Sequence, residues 1–573
     1  MADKRTFFTG IATCLVLCSL YWSVSLHAQY PQNYFRNPLT VPLQLAANFG
    51  EVRPNHFHMG LDIRTQGREN LPVHAAAEGY ISRIKIEKWG YGKAIYITHP
   101  NGYTTVYAHL NSFYKPLQDF LEKQQYAAKS WEQDFCLEPA DFPVTKGQFI
   151  ALSGNTGGSA GPHLHFEIRD TETANCLNPL LFGFGVPDNI PPVIQGLYWY
   201  DRRYSTYQVD PKRINIVKKP GGYVTAQAVI KVSSPLVSLG LRAEDKSSNS
   251  PFLFGIYGAQ VYLDDALVNS FELDNFSYDD SRYVNACVDY STYMKSKAAI
   301  QHLSVLPGNR LPVFEKDKKG ILMLADTEPH KLKIVVKDVA GNTSVLQSVI
   351  QFDVALQKDY FFTSNSIAFS PGKENRLEGP SVKAVFDEAA FYDVVPFVSG
   401  EQQAAGPGKA SALVQLHNQF VPVNDSFLIQ LKTTLPAGSP LRNKVVMFKT
   451  TGKHKEATKG EWNGDWMMAR FNRLGSFQLL IDTLPPVIKP VGWQNNTIFG
   501  AQKTLRLRCT DELDEVAYFR AELDGQWLMF AKKNDDFTYE FDSHCSPGSH
   551  VLKVMVTDMA GNTAMQQFTF TKK

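Results

Sequence analysis

Apolar and polar residues alternate along many short segments in the C-terminal part of the chain. Two of them, residues 333–337 and 553–557, are each followed by the string Asp-x-Ala-Gly-Asn, at 338–342 and 558–562. Alternation with a period of two places successive side chains on opposite faces of a β-strand, and the Gly-containing string favours a tight turn. We therefore predict a strand, a turn and a second strand at each of these places.

The same two stretches also begin alike, which indicates an internal repeat. Residues 188–194 read Asp-Asn-Ile-Pro-Pro-Val-Ile, and residues 482–488 read Asp-Thr-Leu-Pro-Pro-Val-Ile. Consecutive prolines fix an extended linker and are excluded from central strands. Both stretches resemble bacterial immunoglobulin-like β-sandwich modules. The first covers 187–353 and carries an insertion around 271–316, whereas the second, 482–573, has the usual length of that fold.

Residues 354–481 form a further stretch, rich in Thr, Val and Phe, which we interpret as a third β module. Its Pro/Gly strings at 406–408 and 436–438 are typical turn signals. Nothing in these three modules has the spacing of a catalytic site. Binding to the cell wall or to envelope proteins, and simple spacing and stiffening, both remain open as their role.

The N-terminal part, residues 29–186, has a different pattern of short, turn-rich strands. Residues 94–97 and 104–110 flank the string Thr-His-Pro-Asn-Gly-Tyr and predict a hairpin. Apolar residues at a helical period predict one inserted helix over about residues 115–133. The helix could flank a cleft or only decorate the surface. The chain as a whole is therefore predicted to be mainly β.

Length and charge narrow the class of protein. With 573 residues the chain is too long for one core, so several domains are expected. Its 58 Lys and Arg residues nearly balance its 56 Asp and Glu residues and leave a formal net charge of +2. Such a balance gives no global field toward nucleic acid, which we exclude as a partner.

The first residues have the pattern of an export signal. Lys4 and Arg5 precede an apolar run over 7–24, and a small-residue site before Gln29 predicts cleavage of residues 1–28. The alternative is an uncleaved anchor helix. We therefore expect a protein exported to the periplasm, the cell envelope or the exterior.

Five cysteines remain beyond that segment, at positions too irregular for a disulfide framework. Cys509 and Cys545 lie in one module, and for them a disulfide and two free buried thiols are both open. The chain contains no Cys-x-x-Cys pair, so a thiolate zinc site is not expected.

Candidate metal chemistry lies in the N-terminal part, which contains half of the 14 histidines. Residues two apart on a strand share a face, so His163 and His165 point into one space. His58 and Asp62 are four apart and share a side, and Gly60 between them would leave room for an ion. Imidazole and carboxylate suit Zn²⁺. The His-Glu-x-x-His string of another class of zinc peptidases does not occur.

Three strings in this part follow one another in a familiar order. They are His-x-x-x-Asp at 58–62, Tyr-Ala-His-Leu at 107–110 and Gly-Pro-His-Leu-His-Phe-Glu at 161–167. Together they resemble the lysostaphin/LytM family of zinc endopeptidases over about residues 45–180. The resemblance implies a LytM-type antiparallel β catalytic domain that holds one zinc ion and acts on peptidoglycan.

The resemblance also implies roles for five residues. The zinc ligands of the family correspond to His58, Asp62 and His165. The two histidines that serve catalysis correspond to His109 and His163. All five are present here, whereas some relatives have lost them and only activate other hydrolases.

Neighbouring residues are candidates for substrate contacts. Tyr107, on the strand of the Tyr-Ala-His string, would line the cleft or be a packed core tyrosine. Asn155 and Thr156, in a Gly-rich approach to the third string, would bind the substrate backbone or only hold the loop. Glu167 would orient His165 or form a surface salt bridge.

The sequence thus predicts a zinc-dependent endopeptidase that hydrolyses peptide bonds in the stem peptides or cross-links of peptidoglycan. The chain departs from the family between Leu110 and Val144, where a short turn is usual, so the shape of the cleft stays open. Alternatives are a non-catalytic regulator of wall hydrolases with the same fold, a protease of glycine-rich proteins, and an adhesin in which residues 188–573 bind the envelope.

Overall fold

The computed structural model of the protein describes residues 30–360, 365–403 and 406–573, and the predicted export signal at 1–28 lies outside them. The described chain consists mainly of β-strands in four successive units, so the predicted mainly β class is confirmed. Within the described ranges, no helix has both the length and the apolar character needed to cross a membrane.

The first unit contains one long helix, α1 (Lys115–Ala128), and a short 3₁₀ turn, Pro179–Phe182. Its strands are β1 (Leu45–Ala47), β2 (Val52–Arg53), β3 (His56–Phe57), β4 (Leu61–Arg64), β5 (Pro72–His74), β6 (Gly79–Ile86), β7 (Lys93–Thr98), β8 (Tyr103–Ala108), β9 (Leu110–Phe113), β10 (Gln133–Cys136), β11 (Pro143–Val144), β12 (Phe149–Ser153), β13 (His163–Asp170) and β14 (Cys176–Leu177).

Most strands of the first unit form a large and a small antiparallel sheet, and β2 pairs with β3 alone. The large sheet has the order β1-β4-β13-β8-β7-β6-β10, and the small one has the order β5-β12-β9. Strands β7 and β8 are the predicted hairpin. In the large sheet His165 of β13 lies opposite Asp62 of β4 on one side and Ala108 of β8 on the other. The three strings that carry the candidate chemistry therefore meet on adjacent strands.

Alternation along β13 explains why its histidines are available for chemistry. Leu164, Phe166 and Ile168 are completely buried in the hydrophobic core of the first unit. Because successive side chains on a strand point to opposite faces, His163, His165 and Glu167 lie on the face away from this core.

Helix α1 confirms the predicted insertion of a helix into the β domain. It begins after Tyr114 with Pro116 in its first turn and buries Leu117 and Leu121. It ends earlier than predicted, because Lys129 adopts the left-handed conformation that closes helices. The chain then adds β10 to the edge strand β6.

The second unit is a sandwich of two sheets, with the orders β16-β15-β20-β24 and β17-β18-β27-β26-β21-β22. Its strands and helices are β15 (Val193–Asp201), β16 (Lys212–Ile214), β17 (Ile216–Lys219), β18 (Gly222–Thr225), β19 (Ile230–Val232), β20 (Leu236–Glu244), β21 (Gly258–Leu263), β22 (Ala266–Glu272), β23 (Asn275–Phe276), the 3₁₀ turn Asp279–Tyr283, α2 (Val284–Cys287), α3 (Tyr290–Ser296), β24 (Gln301–His302), β25 (Leu322–Met323), β26 (His330–Lys337), β27 (Thr343–Phe352) and the 3₁₀ turn Val354–Leu356.

The third and fourth units are also sandwiches, each with one core that draws on both of its main sheets. The third contains β28 (Ile367–Phe369), β29 (Asn375–Glu378), β30 (Val382–Phe386), β31 (Val395–Phe397), β32 (Ser399–Gln402), β33 (Leu413–Leu416), β34 (Phe427–Lys432), the 3₁₀ turn Pro440–Lys444, β35 (Val445–Thr451), β36 (His454–Thr458), β37 (Glu461–Asn463), β38 (Trp466–Phe471) and β39 (Gly475–Ile481). The fourth contains β40 (Val487–Pro490), β41 (Thr497–Phe499), β42 (Thr504–Thr510), β43 (Tyr518–Leu523), β44 (Gln526–Trp527), β45 (Ala531–Lys533), β46 (Asp536–Glu540), β47 (Gly548–Thr557) and β48 (Thr563–Lys572).

The near-repeats in the sequence occupy equivalent places in the second and fourth units. In both units a short strand, β19 or β41, runs parallel to the last long strand, β27 or β48. The two Asp-x-Ala-Gly-Asn strings form the turns that join β26 to β27 and β47 to β48. The five described cysteines are all free thiols, so Cys509 and Cys545 do not form a disulfide.

The second unit packs tightly against the first. Strand β14 of the first unit pairs with β23 of the second. Phe276 of β23 is completely buried, and its ring lies 4.6 Å from that of Phe49 and 5.5 Å from that of Phe57. A single hydrophobic core therefore crosses the junction between the two units.

The fourth unit also contacts the first, at the inserted helix. The ring of Tyr126, near the end of α1, stacks on His544 at 3.7 Å and meets Trp527 edge-on at 5.2 Å. Lys533 donates a hydrogen bond to the backbone carbonyl of Asn155 at 3.3 Å. The chain thus returns to the first unit at its C-terminal end.

Replacement of the shared core residue tests the junction between the first two units. We expect Phe276→Ala to lower the free energy of unfolding by about 3–5 kcal/mol, because it leaves a cavity in a fully buried aromatic cluster. Val217→Ala, at a position where the side chain is 44% exposed, is the control and should cost less than about 0.5 kcal/mol. Urea unfolding followed by circular dichroism measures both, and equal effects would contradict a shared core.

Candidate metal centre

Three side chains converge on one point between β4, β13 and the segment that follows β3. Nε2 of His58 lies 2.9 Å from Oδ1 of Asp62 and 3.0 Å from Nδ1 of His165. Nδ1 of His165 in turn lies 3.0 Å from Oδ1 of Asp62. All three side chains are more than nine-tenths buried. Two imidazole nitrogens and one carboxylate oxygen thus face one another within contact distance.

Hydrogen bonds on the outer side fix the orientation of both imidazoles. Nδ1–H of His58 donates to the backbone carbonyl of Asn48 at 2.7 Å, and Nε2–H of His165 donates to Oε1 of Glu167 at 2.8 Å. Because these outer nitrogens carry a proton, the neutral rings present unprotonated nitrogens to the convergence point. A metal-binding histidine is commonly held by this type of second hydrogen bond.

Glu167 is the centre of a buried charged network behind His165. Its carboxylate accepts hydrogen bonds from the hydroxyl of Tyr91 and the guanidinium of Arg169, both at 2.7 Å, and Arg169 also donates to Tyr91 at 3.0 Å. Burial raises the pKa of Glu167, but Arg169 and His165 outweigh it and lower the pKa to about 2. Glu167 therefore orients His165 and does not form a surface salt bridge.

Charge at the convergence point is balanced by a proton when no cation is bound. Burial alone would raise the pKa of Asp62, but His58 and hydrogen bonds from His163 and His165 hold it well below its usual value. Burial alone would lower the pKa of His165, but hydrogen bonds to Asp62 and Glu167 raise it to about 9. A cation bound by these groups would replace the proton on His165.

The donor set fits a zinc ion. It offers two imidazole nitrogens and one carboxylate oxygen, which is the mixture of ligands typical of a catalytic zinc with three protein ligands. Without a proton or a cation, two lone pairs and a negative charge would face each other at about 3 Å in a buried place, which is unfavourable. His58, Asp62 and His165 also form one of the described clusters whose ligand atoms lie within 4.8 Å of one another.

Two further histidines stand beside this centre. Nε2 of His163 lies 3.3 Å from Oδ1 of Asp62, and its Nδ1–H donates to the carbonyl of Gly161 at 2.8 Å. The ring of His109 lies 4.7 Å from that of His163, and its Nδ1–H donates to the carbonyl of Thr156 at 2.8 Å. Nε2 of His109 is therefore free to exchange a proton, whereas Nε2 of His163 faces the carboxylate of Asp62.

The backbone at His109 has an unusual conformation. The sequence pattern predicts one strand over 104–110, but the chain leaves the large sheet after β8 and enters the small sheet with β9. His109 makes this change with φ of 58°, in the left-handed region that a non-glycine residue rarely adopts. Such strain is typical of functional positions. Burial, with the nearby charges of His165 and His163, lowers the pKa of His109 to about 3, so it is neutral.

The cleft above the centre has a volume of about 960 Å³ and walls from two units. The first unit contributes the five residues described above. The second contributes Phe252 and the predicted insertion, through Tyr278, Ser281 and Arg282. The insertion between Leu110 and Val144 contributes none of the lining, because β10 lies at the opposite edge of the large sheet. Of the two alternatives for the inserted helix, a position away from the cleft is therefore the one found.

The predicted substrate contacts lie elsewhere. Tyr107 is completely buried in the core, where its hydroxyl accepts hydrogen bonds from the backbone N–H of Ala76 at 2.7 Å and from Thr105 at 3.0 Å. Neither Asn155 nor Thr156 lines the cleft. Thr156 instead holds the loop, because its hydroxyl donates to the carbonyl of Leu110 at 2.9 Å. Tyr107 is therefore a core tyrosine and Thr156 holds the loop, whereas the buried Oδ1 of Asn155 has no hydrogen-bond partner among the described residues.

The role expected of Gly60 also needs correction. A side chain there would not occupy the place of an ion. Its Cβ would lie 2.3 Å from the backbone carbonyl of Phe166, so the glycine allows the chain before β4 to pack closely against β13. His56 is exposed at the rim of the cleft, and His99 is a buried structural residue bonded to the carbonyl of Glu78 at 2.7 Å.

Sequence reasoning missed the groups that support the centre. Tyr91 and Arg169 hold Glu167, and Arg53 donates to Oδ2 of Asp62 at 2.9 Å. One signal was available, because Glu167 and Arg169 are two apart on a strand and share a face. Tyr91 lies on a distant segment and Arg53 lies on a different strand from Asp62, so no strand period connects either residue with its partner.

Comparison with protein families assigns the first unit. The model of peptidase family M23 matches residues 56–140 and 137–179, and that of the Zu5-like domain matches residues 366–482. The first unit is thus an M23 peptidase domain of the lysostaphin/LytM type, as its motifs predict.

Curated relatives are similar to a part of the chain. The DD-carboxypeptidase/endopeptidase Mpg of Neisseria meningitidis serogroup B is 36% identical over 112 residues, which are 20% of either protein. The peptidoglycan DD-endopeptidase ShyA of Vibrio cholerae is 31% identical over 97 residues, or 17% of either. The match therefore spans only about a fifth of the length of these relatives.

A solved structure with a similar chain segment is the catalytic domain of lysostaphin from Staphylococcus simulans. It is 22% identical, and the match covers 24% of this chain and 87% of that domain at a TM-score of 0.18.

Removal of one hydroxyl tests the corrected place of Tyr107. We expect Tyr107→Phe to lower the free energy of unfolding by about 1–3 kcal/mol, because it leaves the N–H of Ala76 without a partner in the core. The Michaelis constant should not change, since the side chain does not reach the cleft. Chemical unfolding and steady-state kinetics measure the two effects. Unchanged stability with a raised Michaelis constant would contradict the core position and indicate that Tyr107 contacts the substrate.

Proposed function

We propose that this protein is an exported, zinc-dependent endopeptidase that hydrolyses peptide bonds in peptidoglycan. The observation that carries the proposal is the convergence of His58, Asp62 and His165 within 3.0 Å of one another in a buried place beside an open cleft. The names of the two relatives, an endopeptidase and a peptidoglycan endopeptidase, support the choice of substrate.

His58, Asp62 and His165 would hold the ion through Nε2, Oδ1 and Nδ1. Zn²⁺ bound there supplies an acidified water and polarises a scissile carbonyl. A set of three protein ligands beside a cleft is typical of a catalytic zinc site, whereas a structural site would have four. Glu167 and Asn48 would keep both imidazoles in the ligand orientation throughout the reaction.

His109 and His163 would move protons and stabilise the developing negative charge. His109 is neutral and has its Nδ1 proton fixed on Thr156, so Nε2 is ready to accept a proton. His163 has the same arrangement with Gly161 and lies closer to Asp62. Since no glutamate of the kind found in His-Glu-x-x-His enzymes is present, these two imidazoles are the available acid and base.

Removal of each ligand tests the metal assignment. We expect His58→Ala, Asp62→Ala and His165→Ala each to lose the bound zinc and to reduce hydrolysis of purified sacculi at least about 10³-fold, since three ligands are the minimum for such a site. His56→Ala is the matched control. It removes a histidine of the same cleft that lies outside the convergence point, and should keep both properties. Elemental analysis and mass spectrometry of released peptides measure them. Full activity in His165→Ala would refute the assignment.

The two proton-handling histidines should behave differently. His109→Ala and His163→Ala are expected to retain about one equivalent of zinc and to lose about 10²–10⁴-fold in kcat, because general acid–base groups contribute that much. Zinc analysis and turnover on the same preparations measure this split. If the wild-type protein itself binds zinc but releases no peptide from sacculi, it is instead a non-catalytic regulator with the same fold.

A further inference from the structure

The second and fourth units each contain a cluster of three aspartates that the peptidase reaction does not use. In the second unit the cluster consists of Asp188, Asp245 and Asp338. One carboxylate oxygen of each lies within 4.8 Å of the others. The three residues come from the linker before the unit, the segment after β20 and the turn between β26 and β27.

One member of this cluster has an unsatisfied oxygen. Asp245 is only 6% exposed, and its Oδ1 has no hydrogen-bond partner among the described residues. No cationic side chain is among the groups that shift the pKa of Asp188, Asp245 or Asp338, and none of the three forms an ion pair with a described lysine, arginine or histidine. A buried carboxylate oxygen without a partner is costly, and two further carboxylates beside it raise the cost.

The other two carboxylates are held by the hydrogen bonds of local turns, whereas the backbone hydrogen bond from Lys246 to Asp245 leaves Oδ1 of that carboxylate without a partner. The backbone N–H and the amide of Asn342 donate to the two oxygens of Asp338 at 2.9 and 2.8 Å, which is the ordinary bonding of a tight turn. The N–H of Ile190 donates to Asp188 at 3.0 Å. Turn geometry therefore accounts for Asp188 and Asp338, but it does not explain why a third carboxylate is buried against them.

The arrangement recurs in the fourth unit, in the same places of the repeat. Asp482, Asp511 and Asp558 also have one oxygen each within 4.8 Å of the others. Oδ1 of Asp511 is again buried and without a partner among the described residues. A chance accumulation of acidic groups would not be expected to repeat with the same unsatisfied member.

We propose that Asp188, Asp245 and Asp338 bind a calcium ion at the entrance of the second unit. Calcium takes six to eight oxygen ligands at about 2.3–2.6 Å, so oxygens on one ion lie at most about 5 Å apart. The cluster meets this limit and offers oxygen alone, which selects a hard cation over zinc. Burial, and then the charges of Asp338 and Asp188, raise the pKa of Asp245 to about 7. A cation would relieve this repulsion.

The ion would tie the linker to the body of the second unit. Asp188 precedes the Pro-Pro string, whereas Asp245 and Asp338 belong to loops of the sandwich. The second unit also carries the cleft wall at Tyr278, Ser281 and Arg282. A fixed linker would therefore limit motion of this wall relative to the first unit.

Calorimetric titration with CaCl₂ of the zinc-loaded full chain, at pH 8, tests the proposal. We expect binding by the wild type and the loss of one equivalent in Asp245→Asn, which keeps the size of the side chain and removes its charge. Asp425→Asn, at an exposed position, is the matched control and should bind as the wild type. No binding by the wild type at millimolar calcium, or an unchanged stoichiometry in Asp245→Asn, would overturn the proposal.

Thermal unfolding in the presence and absence of calcium separates ion binding from a purely structural role. Without calcium, Asp245→Asn should unfold at the same temperature as the wild type or higher, because one repelling charge is removed. With calcium the wild type should gain more stability than Asp245→Asn, which lacks the site in the second unit. A variant that is less stable than the wild type to the same extent in both conditions would contradict the proposal. Should Asp245→Asn fail to fold, Asp188→Asn on the linker gives the same comparison.

Discussion

The candidate metal centre depends on one constraint, the burial of a carboxylate and two imidazoles that all point at the same place. Such an arrangement is unfavourable unless something positive lies among the three groups. The surrounding fold does not relieve this conflict but maintains it. Asn48 and Glu167 direct the protons of His58 and His165 outward, and Glu167 is itself held by Arg169 and Tyr91. Rigid support of this kind keeps the ligand geometry ready before any ion arrives.

The sequence was sufficient to predict the parts of the structure that follow from short-range patterns. Strand alternation revealed the mainly β class, the hairpin of β7 and β8 and the two sets of paired strands in the repeats. The helical period located α1, although not its end at Ala128. The residues that converge on the centre could be chosen only because their strings resemble those of a family, since nothing in the spacing of His58 and His165 brings them together.

The remaining features depend on contacts between distant segments. Tyr107 is two residues from His109, a spacing that places both side chains on one face of a regular strand. In the structure, however, the side chain of Tyr107 points into the core. The chain passes from the large sheet to the small sheet at His109 through a change of backbone conformation, which the residue type does not predict. The contribution of the second unit to the cleft could not be predicted either, because residues 278–282 lie in an insertion that no sequence pattern connects with the first unit. The size of the cleft is thus set by two units, although the chemistry belongs to one.

The contact between α1 and the fourth unit gives the inserted helix a role other than shaping the cleft. Tyr126 stacks on His544 and meets Trp527, so each side covers an aromatic surface of the other. If either partner were deleted during evolution, the other would expose these rings to water. The helical insertion and the terminal sandwich should therefore be inherited as a pair, present together or missing together in related chains.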